Sequence, residues 1–185
     1  MFREHREYFY DWCDIGSIYG APLDCIWSGG RVENGEAKPW NVLELMQDYG
    51  ISARLTFSNS LLKEEHLADK RCNDICSLFA QNKSKQNNQT QSNIQNTSME
   101  SCGAQNQKII NSDVSNGVIV HSDLLLNYLK NNYPELYFVS STTKVITDFQ
   151  ELLKELNRED FKYVVPDFRL NKEFDKLKTL SEEQK

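Results

Sequence analysis

Residues 117–165 read GVIV-HSD-LLLNYLKNN-YPEL-YFVS-STTKVITD-FQELLKEL-NREDFK-YVV, and this stretch decides the fold. The apolar run at 117–120 leaves through His121-Ser122-Asp123. A helix then follows over 124–132, with Leu125, Tyr128 and Leu129 at helical spacing. Asn132 and Pro134 close that helix. The same order repeats at 137–140, which exits through Ser141-Thr142-Thr143-Lys144 into a helix capped by Asp148 and running to Leu156. It repeats again at 161–165, with Pro166-Asp167 as the exit and Asn171 as the expected cap for a helix over 172–180.

Working outward, two earlier units follow the same grammar. Residues 53–57 form an apolar run that leaves through Ser58-Asn59-Ser60, and a helix is expected over 70–79. Before it, Cys25-Ile26-Trp27 reads as a strand with Ser28-Gly29-Gly30-Arg31 as its exit. A helix over 39–48 comes next, with Pro39 in the first turn and Gly50 as the stop. Strand starts recur roughly every 20 to 27 residues once the insertion described below is set aside, a spacing that suits strand-helix repeats. Nearly continuous apolar strands separated by helices predict an α/β fold, with a parallel sheet covered on both faces. A partial TIM-type barrel is the expected closure, and an open doubly wound sheet is the alternative.

A chain of 185 residues fits one domain, expected to span 1–185. Residues 81–116 interrupt it with a tract dominated by Asn, Gln and Ser. Such a tract buries too little apolar surface to offset the entropy of ordering, so a disordered insertion is expected there. The aromatic run Tyr8-Phe9-Tyr10-Asp11-Trp12 predicts a strap closing one end of the core, with a partner-binding face as the second reading.

Charge and cysteine usage exclude several function classes. The net charge is -6 and Lys and Arg do not cluster, which argues against nucleic-acid binding through a basic face. The longest apolar runs fall far short of the roughly 20 residues that span a bilayer, and the charged start at Arg3-Glu4-His5-Arg6-Glu7 is unlike a signal peptide. A cytoplasmic protein is therefore expected. Its cysteines, Cys13, Cys25, Cys72, Cys76 and Cys102, are expected as free thiols. Cys72 and Cys76 share a helix face, but no nearby His completes a tetrahedral set, so no metal is expected. No motif specifies a cofactor.

The pieces at 116–120, 124–137, 140–147 and 163–174 together resemble the middle of the collagenase-like peptidase barrels. Those proteins run from a DGIIV-type strand through a P.L…ST…VTN segment to a VVL.RELSL-type strand and helix. The resemblance covers about residues 116–180 and implies a truncated barrel. The chain departs from the family at Pro166-Asp167-Phe168-Arg169, where the family usually shows an Arg-Glu pair. None of the five cysteines matches the family's functional positions, so peptidase activity and an iron-sulfur cluster are not carried over.

Ligands of parallel α/β folds gather at the carboxyl ends of the strands. Ser28, Arg31, Asn59, His121, Asp123, Ser141, Thr142, Lys144, Asp167 and Arg169 are expected there, although Ser, Asp and Asn at such places also serve simply as helix caps. His121 with Asp123 reads as a general base or metal ligand beside Asp167, against the plainer reading of a local hydrogen bond. Lys144 reads as a Schiff-base or phosphate-holding amine, against that of a solvated lysine. His121, Asp123, Lys144 and Asp167 are thus the candidate catalytic residues of a barrel binding a polar metabolite or peptide. The alternative is a catalytically silent remnant or interaction module, self-associating through exposed sheet edges.

Overall fold

The computed structural model describes residues 15–29, 38–82 and 114–184. The aromatic run at 8–12, Arg31, Cys13, Cys102 and residues 83–113 of the insertion lie outside the described residues. Five strands form one sheet: β1 (Ser17–Gly20), β2 (Ser52–Phe57), β3 (Gly117–Val120), β4 (Tyr137–Ser140) and β5 (Tyr163–Val164). Every neighbouring pair is parallel, and the order across the sheet is the order along the chain. Helices α1 (Pro39–Tyr49), α2 (Lys70–Gln81), α3 (Asp123–Asn132) and α4 (Phe149–Leu156) make the four connections, and α5 (Phe174–Leu177) follows β5.

That order bears on both expected architectures. Each connection moves one strand over in the same direction, and parallel crossovers are almost always right-handed. A one-way walk therefore places the connecting helices on one face. A doubly wound sheet reverses its order to cover both faces. The doubly wound alternative is corrected on this ground, as is the expectation of helices on both sides. The sheet is not closed: β1 and β5 do not pair with each other.

Strand register sorts the side chains into two layers. Leu55 pairs with Val118 and Val118 with Phe138, and Phe57 with Val120, so these residues point to one side. There they join Leu43, Met46, Ile75, Phe79, Leu125 and Leu129 in the main hydrophobic core. Burying each such side chain contributes about 1.5–3 kcal/mol. The other layer holds Arg54, Gly117 and Tyr137 in one row and Thr56, Ile119, Val139 and Tyr163 in the next. Ile119 and Val139 are buried in this layer, whereas Tyr163 is 46% exposed.

The helix ends follow their sequence signals. Asp69 Oδ1 caps α2 through Cys72 N at 2.8 Å, Ser122 Oγ caps α3 through Leu125 N, and Asp148 Oδ1 accepts from Gln150 N and Glu151 N. Gly50 closes α1 at φ 62°, a left-handed conformation that favours glycine.

Four expectations need correction. Cys25-Ile26-Trp27 is not a strand; residues Ile26–Ser28 form a 3-10 turn, and the first strand lies earlier at Ser17–Gly20. The segment is apolar because it is buried as a plug. The Trp27 ring meets Phe57 and Tyr128 edge-on, its Nε1 donates to His66 O at 2.8 Å, and Asn59 Nδ2 donates to Ile26 O at 2.8 Å. Cys25 and Cys72 are not free thiols: they form a disulfide with Cα atoms 5.3 Å apart, tying this plug to α2 across 47 residues of sequence. Cys76, one turn further along α2, is a buried thiol whose pKa burial drives far up. At the other end, Asn171 does not cap a helix over 172–180. It sits inside the 3-10 turn Leu170–Lys172, and only Phe174–Leu177 is α-helical. Phe174 is exposed, which deprives a longer helix of the packed face that would hold it. Finally, β5 is limited to two residues rather than spanning 161–165.

Candidate functional site

Because all strands run the same way, their polar exits collect at one edge of the sheet. The sites of Asn59, His121, Ser141 and Asp167 follow β2, β3, β4 and β5 there, and the edge is extended by backbone bonds from His121 N to Phe57 O (3.1 Å), Ser141 N to Val120 O (3.2 Å) and Val165 N to Ser140 O (3.1 Å). Ser28 is part of the Trp27 plug, where its Oγ donates to Pro22 O at 2.6 Å.

The four candidate catalytic residues divide into separate environments. His121 Nδ1 lies 3.0 Å from Thr143 Oγ1, which lies 2.9 Å from Ser141 Oγ. This makes a hydrogen-bonded row of imidazole and two hydroxyls across the tips of β3 and β4. The loop carrying the hydroxyls is tightly bound: Ser141 Oγ accepts from Thr143 N at 3.2 Å, Lys144 N donates to Ser141 O, and Val145 N to Thr142 O. It also holds Val145 at φ 55°, a left-handed conformation that is costly for a β-branched residue.

Asp123 and Lys144 belong to a different group. Lys144 Nζ donates to Glu155 Oε1 at 2.6 Å and lies 3.6 Å from Asp123 Oδ1. Arg158 Nη1 donates to Asp123 Oδ1 at 3.0 Å and to Glu155 Oε2 at 3.4 Å, while its Nε and Nη2 donate to Asp160 Oδ2. Ser140 Oγ donates to Glu155 Oε1 at 2.6 Å, and Lys130 pairs with Asp160. Phe161 lies under both cations, 4.8 Å from Lys144 Nζ and 4.7 Å from the Arg158 guanidinium carbon. This network joins α3, β4 and α4 on the helix side of the sheet.

Its titration follows from the contacts. Burial alone would raise the Glu155 pKa. Hydrogen bonds from Lys144 and Ser140, with the charges of Lys144 and Arg158, outweigh it and hold the carboxyl below the ordinary range. Hydrogen bonds from Lys130 and Arg158 lower Asp160 in the same way. For Arg158, burial opposes the charged form, but the carboxylates of Asp160, Asp123 and Glu155 raise its pKa overall.

Asp167 is buried after β5, where its Oδ1 accepts from Arg169 N at 3.0 Å and from Arg169 Nε at 2.9 Å. Its carboxylate is therefore already matched by the arginine two residues on. A cleft of about 220 Å³ lies elsewhere, lined by Ile18, Pro22, Pro39, Val42 and Arg71 among others, and it includes none of the four candidates. Among the described residues, no group of three or more His, Cys, Asp or Glu side chains is arranged to hold a metal ion, and no helix is long and apolar enough to cross a membrane.

Thr143, Ser140, Glu155 and Arg158 were not among the candidates picked from the sequence. Thr143 stands in the quoted exit after β4. Glu155 looks like an ordinary surface charge of an amphipathic helix, and Arg158 like one of the turn after it, until the fold brings Lys144 against Glu155. Comparison with family models, with curated proteins and with solved structures finds no match.

Proposed function

We propose that this chain is a binding domain whose rim, at His121, Ser141 and Thr143, receives a small neutral polar molecule. The observation that carries the reading is the row His121 Nδ1 to Thr143 Oγ1 to Ser141 Oγ, at 3.0 and 2.9 Å, at the edge where parallel α/β folds bind ligands. A hydroxyl beside an imidazole is also the start of a nucleophile-base pair. Such a pair needs a third group to orient the base, and Asp123, the nearest acid in sequence, is engaged by Arg158 and Lys144 instead. Binding without turnover is therefore the better reading, with Asp123 and Lys144 as structural residues and Asp167 as a loop anchor.

The consecutive strand order supports placing the chain with barrel-type rather than doubly wound sheets, in line with the resemblance of residues 116–180 to collagenase-like peptidase barrels. A cytoplasmic location is part of the proposal. There the Cys25–Cys72 bond would face a reducing environment, and thiol counting on freshly lysed cells tests that placement.

The rim reading is tested by following the His121 imidazole by NMR during titration with glycerol, glucose and diglycine. A saturable shift that disappears in T143V supports it. No shift with any probe contradicts it, as does hydrolysis of a peptide or ester substrate that is lost in H121A. A second reading, self-association, is favoured by the outer edges of β1 and β5, which have no strand partner among the described residues. Sedimentation as a monomer at high concentration would remove it.

A further inference from the structure

The layer of the sheet opposite the helices carries a second arrangement that the rim reading does not use. Arg54 on β2, Gly117 on β3 and Tyr137 on β4 lie in one row. Tyr137 reaches across β3 toward β2, and it can do so because residue 117 has no side chain: a Cβ there would sit 2.5 Å from the Tyr137 ring. The phenol then takes part in a directed chain of hydrogen bonds. Arg54 Nε donates to Tyr137 Oη at 2.6 Å, Tyr137 Oη meets Ser52 Oγ at 2.6 Å, and Ser52 Oγ donates to Ser115 O at 2.9 Å.

This chain fixes the guanidinium through one of its five N–H groups. The guanidinium carbon lies 5.2 Å from the Tyr137 ring centre and 4.7 Å from that of Tyr163. Lys162 Nζ lies against the same rings, at 4.8 and 5.6 Å. Two cations thus share two aromatic rings, and among the described residues neither has a carboxylate within ion-pair distance. One row along on the same layer, Thr56 Oγ1 is buried with no hydrogen-bond partner among the described residues. The cations of the helix-side network, Lys130, Lys144 and Arg158, are each matched by a carboxylate, so the unmatched pair here stands out. A planar fork held at its Nε, with neither Nη group hydrogen-bonded among the described residues, suits the two oxygens of an oxyanion.

We infer that Arg54, Lys162 and Thr56 form a binding site for a small oxyanion, a carboxylate or phosphate group, on the sheet face away from the helices. Arg54 supplies the bidentate fork, Lys162 a second positive charge and Thr56 a hydroxyl donor. Tyr137 is a positioning residue, with Gly117 making room for it. The site is separate from the rim, which offers an imidazole and two hydroxyls.

The test is an NMR titration of the intact chain with succinate and, separately, with inorganic phosphate, read at the Arg54 Nε–H and Tyr163 ring signals. A saturable shift with either anion, and none with glycerol, is expected. Succinate alone marks a carboxylate site and phosphate alone a phosphate site. R54Q should abolish the Tyr163 response and K162Q should weaken binding several-fold, while H121A leaves it unchanged. Absence of a saturable shift with both anions overturns the inference, as does an unaltered response in R54Q. Should R54Q fail to fold, K162Q decides, because Lys162 takes no part in the Tyr137 hydrogen-bond chain; unchanged affinity in that variant overturns the site.

Discussion

The two sides of the sheet use cations in opposite ways. On the helix side Lys144 and Arg158 are surrounded by Asp123, Glu155 and Asp160, and Ser140 fills a remaining position on Glu155. On the other side Arg54 and Lys162 meet rings and a phenol. Both sides stack cations on aromatic rings, so the difference lies in the carboxylates. The helix-side charges complete one another and hold α3 and α4 to β4. Among the described residues the opposite-face cations meet no carboxylate, and the proposed oxyanion site rests on that. Charged residues alone therefore do not mark a binding site in this protein; the informative quantity is the charge left over after the local partners are counted.

Several perturbations break or sharpen this contrast, and the largest acts through the staple on the helix side. Reducing Cys25–Cys72 frees a loop spanning 47 residues of sequence, which should lower stability by about 2–4 kcal/mol in urea unfolding. It should leave the Arg54 signals unchanged, and a shift there would mean that the two sides are coupled.

Next in size, E155A strands Lys144, whose side chain is only 14% exposed, beside Arg158. A loss of about 3 kcal/mol is expected from breaking a largely buried pair on one side only. A cost below about 1 kcal/mol would show the network to be as weak as a surface ion pair. The joint change E155L with K144M should recover most of the loss, because apolar packing often replaces a buried pair without cost.

The same network sets a pH dependence. Glu155 and Asp160 have folded-state pKa values below their unfolded ones. Their contribution is fully present above the ordinary carboxylate range, about 4, and is lost as the pH falls through the depressed folded-state values. Unfolding followed through this acid range should show a stability drop that E155A reduces and R54Q leaves intact.

Smaller effects are expected on the opposite face. G117A pushes the Tyr137 ring aside at a cost of about 1–2 kcal/mol, and the Arg54 Nε–H signal should lose its hydrogen-bonded position. R54Q itself should change stability by no more than about 1 kcal/mol, despite removing a charge from the middle of a strand.

The fold was most legible where local and global preferences agree. Strands at 117–120 and 137–140, and helix ends at Pro39, Gly50, Asp148 and Leu156, stand where the apolar runs and caps put them. The first unit misleads because apolar content reports burial rather than strand geometry. Trp27 and Cys25 are fully buried in a turn, while the true edge strand Ser17–Gly20 is mostly exposed and carries no apolar run. The disulfide depends on proximity across 47 residues, which spacing rules do not reveal. The open sheet with consecutive strand order likewise emerges only from pairing, since a one-way and a reversing order share the same strand-helix grammar.

The candidate site was legible as an edge but not as a set of partners. His121 stands one residue beyond β3 and Lys144 four beyond β4, both in polar strand exits, yet one meets a hydroxyl and the other a glutamate eleven residues on. Arg54 carries a readable signal: in Ala53-Arg54-Leu55-Thr56-Phe57 the arginine and the threonine alternate with apolar residues, so both point away from the core and need partners.

The contrast between the two sides is tested most directly by urea unfolding of the wild type, E155Q and R54Q with and without saturating succinate. A ligand held by Arg54 stabilises the folded state by linkage. The account predicts that succinate raises the stability of the wild type and of E155Q by the same amount and leaves R54Q unchanged. An equal rise in R54Q, or none in the wild type, would contradict it.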